Sequence, residues 1–259
     1  MLLAIYSLWT REVVRFLRQR SRIVGALGSP VLFWLLIGSG FGRSVRAGHT
    51  LSGGYLEYFY PGTLALIVLF TAIFSTISVI EDRQEGFLQG VLVAPVPRLA
   101  IVAGKVLGAT TLAVLQAGLF LLLAPLTFGA LAPGTVLTVL GILIVLGLGL
   151  SGLGFLIAWQ LDSTQGFHAI MNVLLVPMWM LSGALFPPGG AAGWVRAVMW
   201  VNPLTYGVSA LRTGIYGATL EGEPPLELSI VVLAAFVLLT LALSARAVTR
   251  EGRGKRRPS

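Results

Sequence analysis

Six long apolar stretches run through the chain, Ile23–Phe41, Phe59–Ile80, Val106–Gly129, Gly134–Trp159, Phe167–Phe186 and Leu228–Ala245, and none contains Asp, Glu, Lys or Arg. Each can cross roughly 30 Å of hydrocarbon as a helix. In lipid no water bonds the backbone, so only a structure that satisfies its own N–H and C=O groups is tolerated. A water-soluble fold fails on composition: 11% of the 259 residues are charged and the mean hydropathy is +0.89, against about 25% charged in soluble domains. One core cannot hide that much apolar surface. The sequence therefore predicts an all-α polytopic membrane protein, a single domain over residues 1–259 with six transmembrane helices. Pro61, Pro125 and Pro177 mark expected kinks or breaks. The absence of cysteine excludes disulfides, thiolate metal sites and cysteine nucleophiles.

Orientation follows from the basic residues. With a cytoplasmic N-terminus, fourteen of the 18 Lys and Arg fall inside, including Arg11, Arg15, Arg18, Arg20, Arg22, Arg83, Arg98 and Lys105 and six in the tail 246–259. Four fall outside: Arg43, Arg46, Arg196 and Arg212. The positive-inside rule then places both termini in the cytoplasm. A basic tail next to a span binds anionic lipid headgroups, so the net charge of +8 calls for no nucleic acid. Residues 1–22 read as an amphipathic interface helix. Arg11, Arg15, Arg18 and Arg22 line one stripe, with Leu2, Ile5, Tyr6, Trp9, Val13, Phe16 and Leu17 roughly opposite. Its two readings are a topological anchor and a mechanical element that cradles a cytoplasmic partner. A cleavable signal peptide is not expected, because the first apolar stretch is too long.

Several chemistries are absent from the sequence. Ion-coupled carriers keep ionisable groups within the membrane, and the span interiors offer only Ser, Thr, Gln116 and Asn172. His168, near Asp162, reads as part of a solvated turn. There is no G-x-x-x-x-G-K-[ST] phosphate loop, no H-E-x-x-H and no G-x-S-x-G. Gly147-Leu-Gly149-Leu-Ser-Gly152 matches a dinucleotide fingerprint by letter, but it lies inside a span with no βαβ context. It reads as a close-packing surface, as do Gly38/Gly42 and Gly104/Gly108. A membrane enzyme would need ionisable groups converging at one depth, and none are apparent in the sequence.

Two segments carry more information than connectors need. The first, residues 81–105 on the cytoplasmic side, opens with Glu81, Asp82, Arg83 and Glu85; an amphipathic run (Phe87, Leu88, Val91, Leu92) follows, and Pro95 and Pro97 stop it. Its readings are a lipid anchor and a short helix inserted into a partner's groove. The second, residues 187–227 outside, is semi-apolar, aromatic and broken by Pro and Gly. It is expected to be a re-entrant hairpin between spans five and six or a set of outer-surface helices, with Trp194, Trp200 and Tyr206 as an aromatic belt in the plainer reading.

These segments resemble the type-two ATP-binding-cassette exporter permeases, which include drug, lipo-oligosaccharide and polysaccharide exporters. The matching residues are Leu181-Ser182-Gly183, Phe186-Pro187, Trp194, Asn202-Pro203-Leu204-Thr205-Tyr206 and Ala210-Leu211-Arg212 in the outer loop, and Glu85, Gly86, Leu88, Pro95, Val96 and Arg98 in the inner one. Ser209 stands where the family commonly has Asp, and Gly86-Phe87-Leu88-Gln89 departs from the usual Gly-Thr-Leu-Glu.

The resemblance implies a permease subunit of a bacterial plasma (inner) membrane exporter for an amphipathic or lipid-linked substrate. It would pair with a second copy, with two ATP-binding-cassette ATPase subunits that hold ATP and Mg, and with membrane lipid. The chain itself would carry no cofactor, no metal and no catalytic residue. Glu81, Asp82, Arg83, Glu85, Gly86, Pro95 and Arg98 would couple it to the ATPase. Gly183, Phe186, Pro187, Trp194, Asn202, Pro203, Tyr206 and Arg212 would form the outer gate. The rivals are a secondary carrier, a membrane enzyme or biogenesis factor, and a non-transporting anchor for an ATPase.

Overall fold

The computed structural model describes residues 1–18, 20–40 and 54–254, and every regular element among them is helical. Five stretches are long and apolar enough to cross a membrane: Gly54–Gln84, Arg98–Phe128, Pro133–Gln160, Thr164–Ala184 and Leu226–Arg250. They correspond to the second to sixth predicted spans. The first falls on α2 (Arg20–Gly40), whose described apolar part, Gly28–Gly40, is shorter than a span. Phe41, Gly42, Arg43 and Arg46 lie outside the described residues, as do Lys255, Arg256 and Arg257 of the basic tail.

The chain opens with α1 (Leu2–Leu17) and α2. α3 (Gly54–Ser75) leads into α4 (Ser78–Gln84), so the second span continues helical beyond Ile80. Thr76 and Ile77 form the turn between them, and Thr76 Oγ1 donates to the Ile73 carbonyl at 2.6 Å. After the short α5 (Phe87–Val93), α6 (Arg98–Leu121) returns across the bundle. It breaks before Pro125, the first residue of α7 (Pro125–Phe128), as the sequence suggested. Pro61 stays within α3, and Pro177 lies in the last turn of α9 (Thr164–Trp179), just before a π-helical turn at Met180–Ala184. Beyond that turn come α10 (Gly193–Val201), α11 (Pro203–Tyr216) and α12 (Leu226–Gly254).

α3 is the axis of the fold, in contact with α2, α6, α8 (Pro133–Gln160), α9 and α11. Its most apolar window is 83% buried, whereas that of α12 is 22% buried. Lipid tails give helices no hydrophobic reason to associate, so close backbone approach decides which pairs form. A Cβ at Gly104 would stand 2.6 Å from Leu8 Cβ, and one at Gly108 would stand 2.7 Å from Glu12 Cβ. This glycine pair is the groove in which α1 lies. The fingerprint-like glycines of α8 do the same for α12: a Cβ at Gly152 would meet Thr240 Oγ1 at 2.6 Å. The packing reading of both motifs is the one the fold uses.

Candidate functional site

At the end of the bundle formed by α1, α4 and α5, ionisable groups converge that are far apart in sequence. Burying Leu8, Glu12 and Phe16 places α1 on α6 and turns Arg11 and Arg15 toward α4. Asp82 is fully buried and takes three cations: Arg11 donates at 2.6 Å, Arg15 at 3.3 Å, and Lys105 pairs with the same carboxylate. Lys105, 2% exposed, also donates to Glu12 Oε1 at 2.5 Å and to Ser78 Oγ at 3.2 Å. Arg15 reaches on to Glu81 at 2.9 Å and Glu85 at 3.4 Å. Three cations thus face four carboxylates. Such charges persist away from water only when paired and hydrogen-bonded. The hydrogen bond to Asp82 raises the Arg11 pKa above its ordinary value, against the effect of burial, which holds the guanidinium charged.

The same segment is tied to its other neighbours. The Arg11 guanidinium lies 3.7 Å from the Phe87 ring centroid, joining α5 to α1. Arg83 donates to the Trp159 carbonyl at 2.7 Å, the Leu161 carbonyl at 3.3 Å and Asp162 at 2.9 Å. It thereby satisfies carbonyls left open at the C-terminus of α8. Arg98 donates to the Val248 and Thr249 carbonyls of α12 at 3.1 and 3.3 Å. Gly86 makes the turn between α4 and α5 at φ +79, where a side chain would be strained.

Asp82, Arg83 and Arg98, three of the residues expected to couple to an ATPase, make bonds within the chain. The surface left outward is Glu85, 57% exposed at its side chain, with Gln89, Leu92, Val93 and Pro95. On α1, Arg11 and Arg15 turn toward Asp82, while Leu2, Tyr6 and Leu17 are exposed. Ionisable groups from α1, α4 and α6 converge around Asp82 and Lys105. The one sequence signal for this was the i, i+4 stripe Leu8–Glu12–Phe16, a carboxylate on an otherwise apolar face.

The far end is built from backbone. In the π-helical turn, Gly183 adopts φ +82 and Leu181 is non-helical, which leaves carbonyls without helical partners. The outer motif supplies those partners. Asn202 Nδ2 donates to the Met178 and Leu181 carbonyls at 2.6 and 2.9 Å, while its Oδ1 caps α11 by accepting from Leu204 N at 3.0 Å. Pro203 follows at the first helical position. The Gly183 carbonyl accepts from Tyr58 Oη at 2.8 Å and from Arg212 at 3.1 Å. Arg212 is fully buried, stacks 4.2 Å from the Tyr58 ring centroid and pairs with Glu223. Tyr206 Oη donates to the Trp200 carbonyl at 2.8 Å, and Ser209, the departure from the family pattern, donates to the Pro224 carbonyl at 2.7 Å.

Of the eight outer residues singled out, Gly183, Asn202, Pro203, Tyr206 and Arg212 lie in or beside this cluster. Phe186 and Pro187 are half-buried on the way out of it, and Trp194 is 71% exposed. Tyr58 and Glu223 were missed, since neither belongs to a motif and each acts only through Arg212 and Gly183. His168 stacks on Phe74, with ring centroids 5.1 Å apart, and Asp162 pairs with Arg83.

Residues 4–216 match the ABC-2 type transporter family. The transport permease ycf38 of Cyanophora paradoxa is 26% identical over 211 residues, 80% of this chain and 72% of that protein. The daunorubicin resistance ABC transporter permease DrrB1 of Streptomyces coeruleorubidus is 24% identical over 245 residues, 91% and 83% respectively. The multidrug ABC transporter permease YbhR of Escherichia coli (strain K12) is 26% identical over 153 residues, covering 59% of this chain and 42% of YbhR. With a match that takes in the α1 groove, the charge cluster and the Asn202–Arg212 motif, the chain belongs to the ABC-2 type transporter family, as the multi-pass membrane permease subunit of an ATP-binding-cassette exporter.

Proposed function

We propose that two copies of this chain form an export path for an amphipathic or lipid-linked molecule, driven by two separate ATPase subunits docked against α5. In this reading α2 is a sixth span, both termini are cytoplasmic in a bacterial inner membrane, and the chain hydrolyses no ATP itself. The carrying observation is the charge network around Asp82. It joins α5, through α4 and Phe87, to α1 and α6, so a push on the outward face of α5 reaches three helices instead of being absorbed in a loop. The exposed Glu85, Gln89, Leu92 and Val93 are the surface that a partner's groove would take.

At the other end, α10 and α11 form the re-entrant hairpin and outer gate. Irregular backbone at membrane depth is tolerated where protein satisfies it, and Asn202, Tyr58 and Arg212 do so here. The relatives named for multidrug transport and daunorubicin resistance favour an amphipathic cargo.

The test is reconstitution in proteoliposomes with the ATP-binding-cassette partner and a fluorescent amphiphile. Transport is expected only with ATP and both proteins present. Transport by the chain alone under a pH gradient would replace this reading with the secondary carrier.

A further inference from the structure

At the end of the bundle that carries Asp82, α4, the end of α8 and α12 enclose a cleft of about 350 Å³, lined by Arg83, Trp159, Gln160, Asp162, Ala247 and Arg250. The volume falls within the roughly 300–1,000 Å³ of small-molecule sites. The charges of the lining do not cancel. Arg83 pairs with Asp162 at 2.9 Å and spends further N–H groups on the Trp159 and Leu161 carbonyls. Arg250 is exposed and, among the described residues, its side chain has neither an ion pair nor a hydrogen-bond partner. One positive charge is left over, and the exposed Arg246, one turn earlier on α12, adds a second. Arg98 holds this part of α12 in place by donating to the Val248 and Thr249 carbonyls.

The helix leading up to Arg250 decides what kind of anion fits. Leu243 and Leu239 precede it by seven and eleven residues, lie within about 20° of it at 100° per residue, and are 37% and 57% exposed. Eleven residues rise about 16 Å, close to one leaflet of a hydrocarbon core roughly 30 Å thick. An uncovered apolar stripe one leaflet deep that ends at an unpaired guanidinium matches an acyl chain joined to a phosphate. A free phosphate ion would use the guanidinium alone and leave the stripe without a role.

We propose that this cleft holds the headgroup of an anionic phospholipid, with its phosphate on Arg250 and its acyl chains along Leu243 and Leu239. Trp159 and Ala247 form the apolar wall on which the glycerol rests. Bound there, the lipid joins α12 to α4, the helix of Asp82. The site requires neither a second copy nor the export path, and it is separate from the basic residues beyond 254.

The test is native mass spectrometry of the full chain released from micelles that contain equal amounts of phosphatidylglycerol and phosphatidylcholine with the same acyl chains. Wild type is expected to retain phosphatidylglycerol in preference. Arg250→Gln should reduce that preference roughly 5-fold, the effect of removing one cation beside an anionic headgroup. Because Arg250 is exposed and unpaired, the variant should unfold at the wild-type temperature without added lipid, and phosphatidylglycerol should stabilise wild type more than the variant. Changing Lys255, Arg256 and Arg257 together to Gln should leave most of the preference, although three charges are lost. Inorganic phosphate in large excess should not displace the lipid. No preference in wild type, an unchanged preference in Arg250→Gln, a larger loss in the tail variant than in Arg250→Gln, or displacement by inorganic phosphate would overturn the proposal.

Discussion

Replacing Lys105 by Met separates a working charge network from a decorative one. Lys105 and Asp82 are 2% and 0% exposed, and Glu12 is 6% exposed. Asp82 keeps Arg11 at 2.6 Å and Arg15 at 3.3 Å when Lys105 is lost. Among the described residues the salt bridge of Glu12 is to Lys105, so Glu12 loses it. Removing one member of a buried pair leaves an uncompensated charge and costs about 3–5 kcal/mol. At about 2–4 °C per kcal/mol for chains near this size, the unfolding temperature should fall by roughly 6–20 °C. Glu12→Leu combined with Lys105→Met removes both charges and leaves Asp82 satisfied, so most of that loss should return, as apolar replacements of buried pairs typically allow. The assay is thermal unfolding in nanodiscs of the two single variants and the double variant. A Lys105→Met shift within about 1 °C, or a double variant less stable than Lys105→Met, would refute the claim that these charges are buried and mutually dependent.

Arg212→Met should destabilise on the same scale, by about 3–5 kcal/mol, because it strands Glu223, whose side chain is 2% exposed; Glu223→Gln should cost less, and unfolding of both variants measures the order. Glu85→Ala should leave stability within about 1 kcal/mol, since its pair with Arg15 is exposed, while abolishing ATPase stimulation in the reconstituted complex. Wild-type ATPase and export rates at matched abundance would instead assign that loop to lipid anchoring. Because the chain has no cysteine, single cysteines at Gln89 and Gly190, both exposed, can be labelled in intact cells. Gly190 should react from outside and Gln89 only after permeabilisation, and external labelling of Gln89 would reverse the orientation.

The sequence by itself determined the class of fold, because long uncharged apolar stretches have few alternatives in lipid and their ends follow from where charge and proline resume. It also located both loops, since Gly86 and Asn202-Pro203 act on their immediate neighbours through φ freedom and capping. Even the false dinucleotide motif was readable, because a glycine in an apolar helix has few uses other than close approach. Only the tertiary structure decided which charges are buried. Asp82 and Lys105 are 23 residues apart and Glu12 and Lys105 are 93 apart, and no periodicity links such positions. Glu223 likewise depends on Arg212 across the outer loop. Helix formation depends on neighbours in sequence, so the sequence displays it. Whether a polar group is paired depends on which helix lies alongside, and that is set by the close contacts at Gly104, Gly108 and Gly152 acting together.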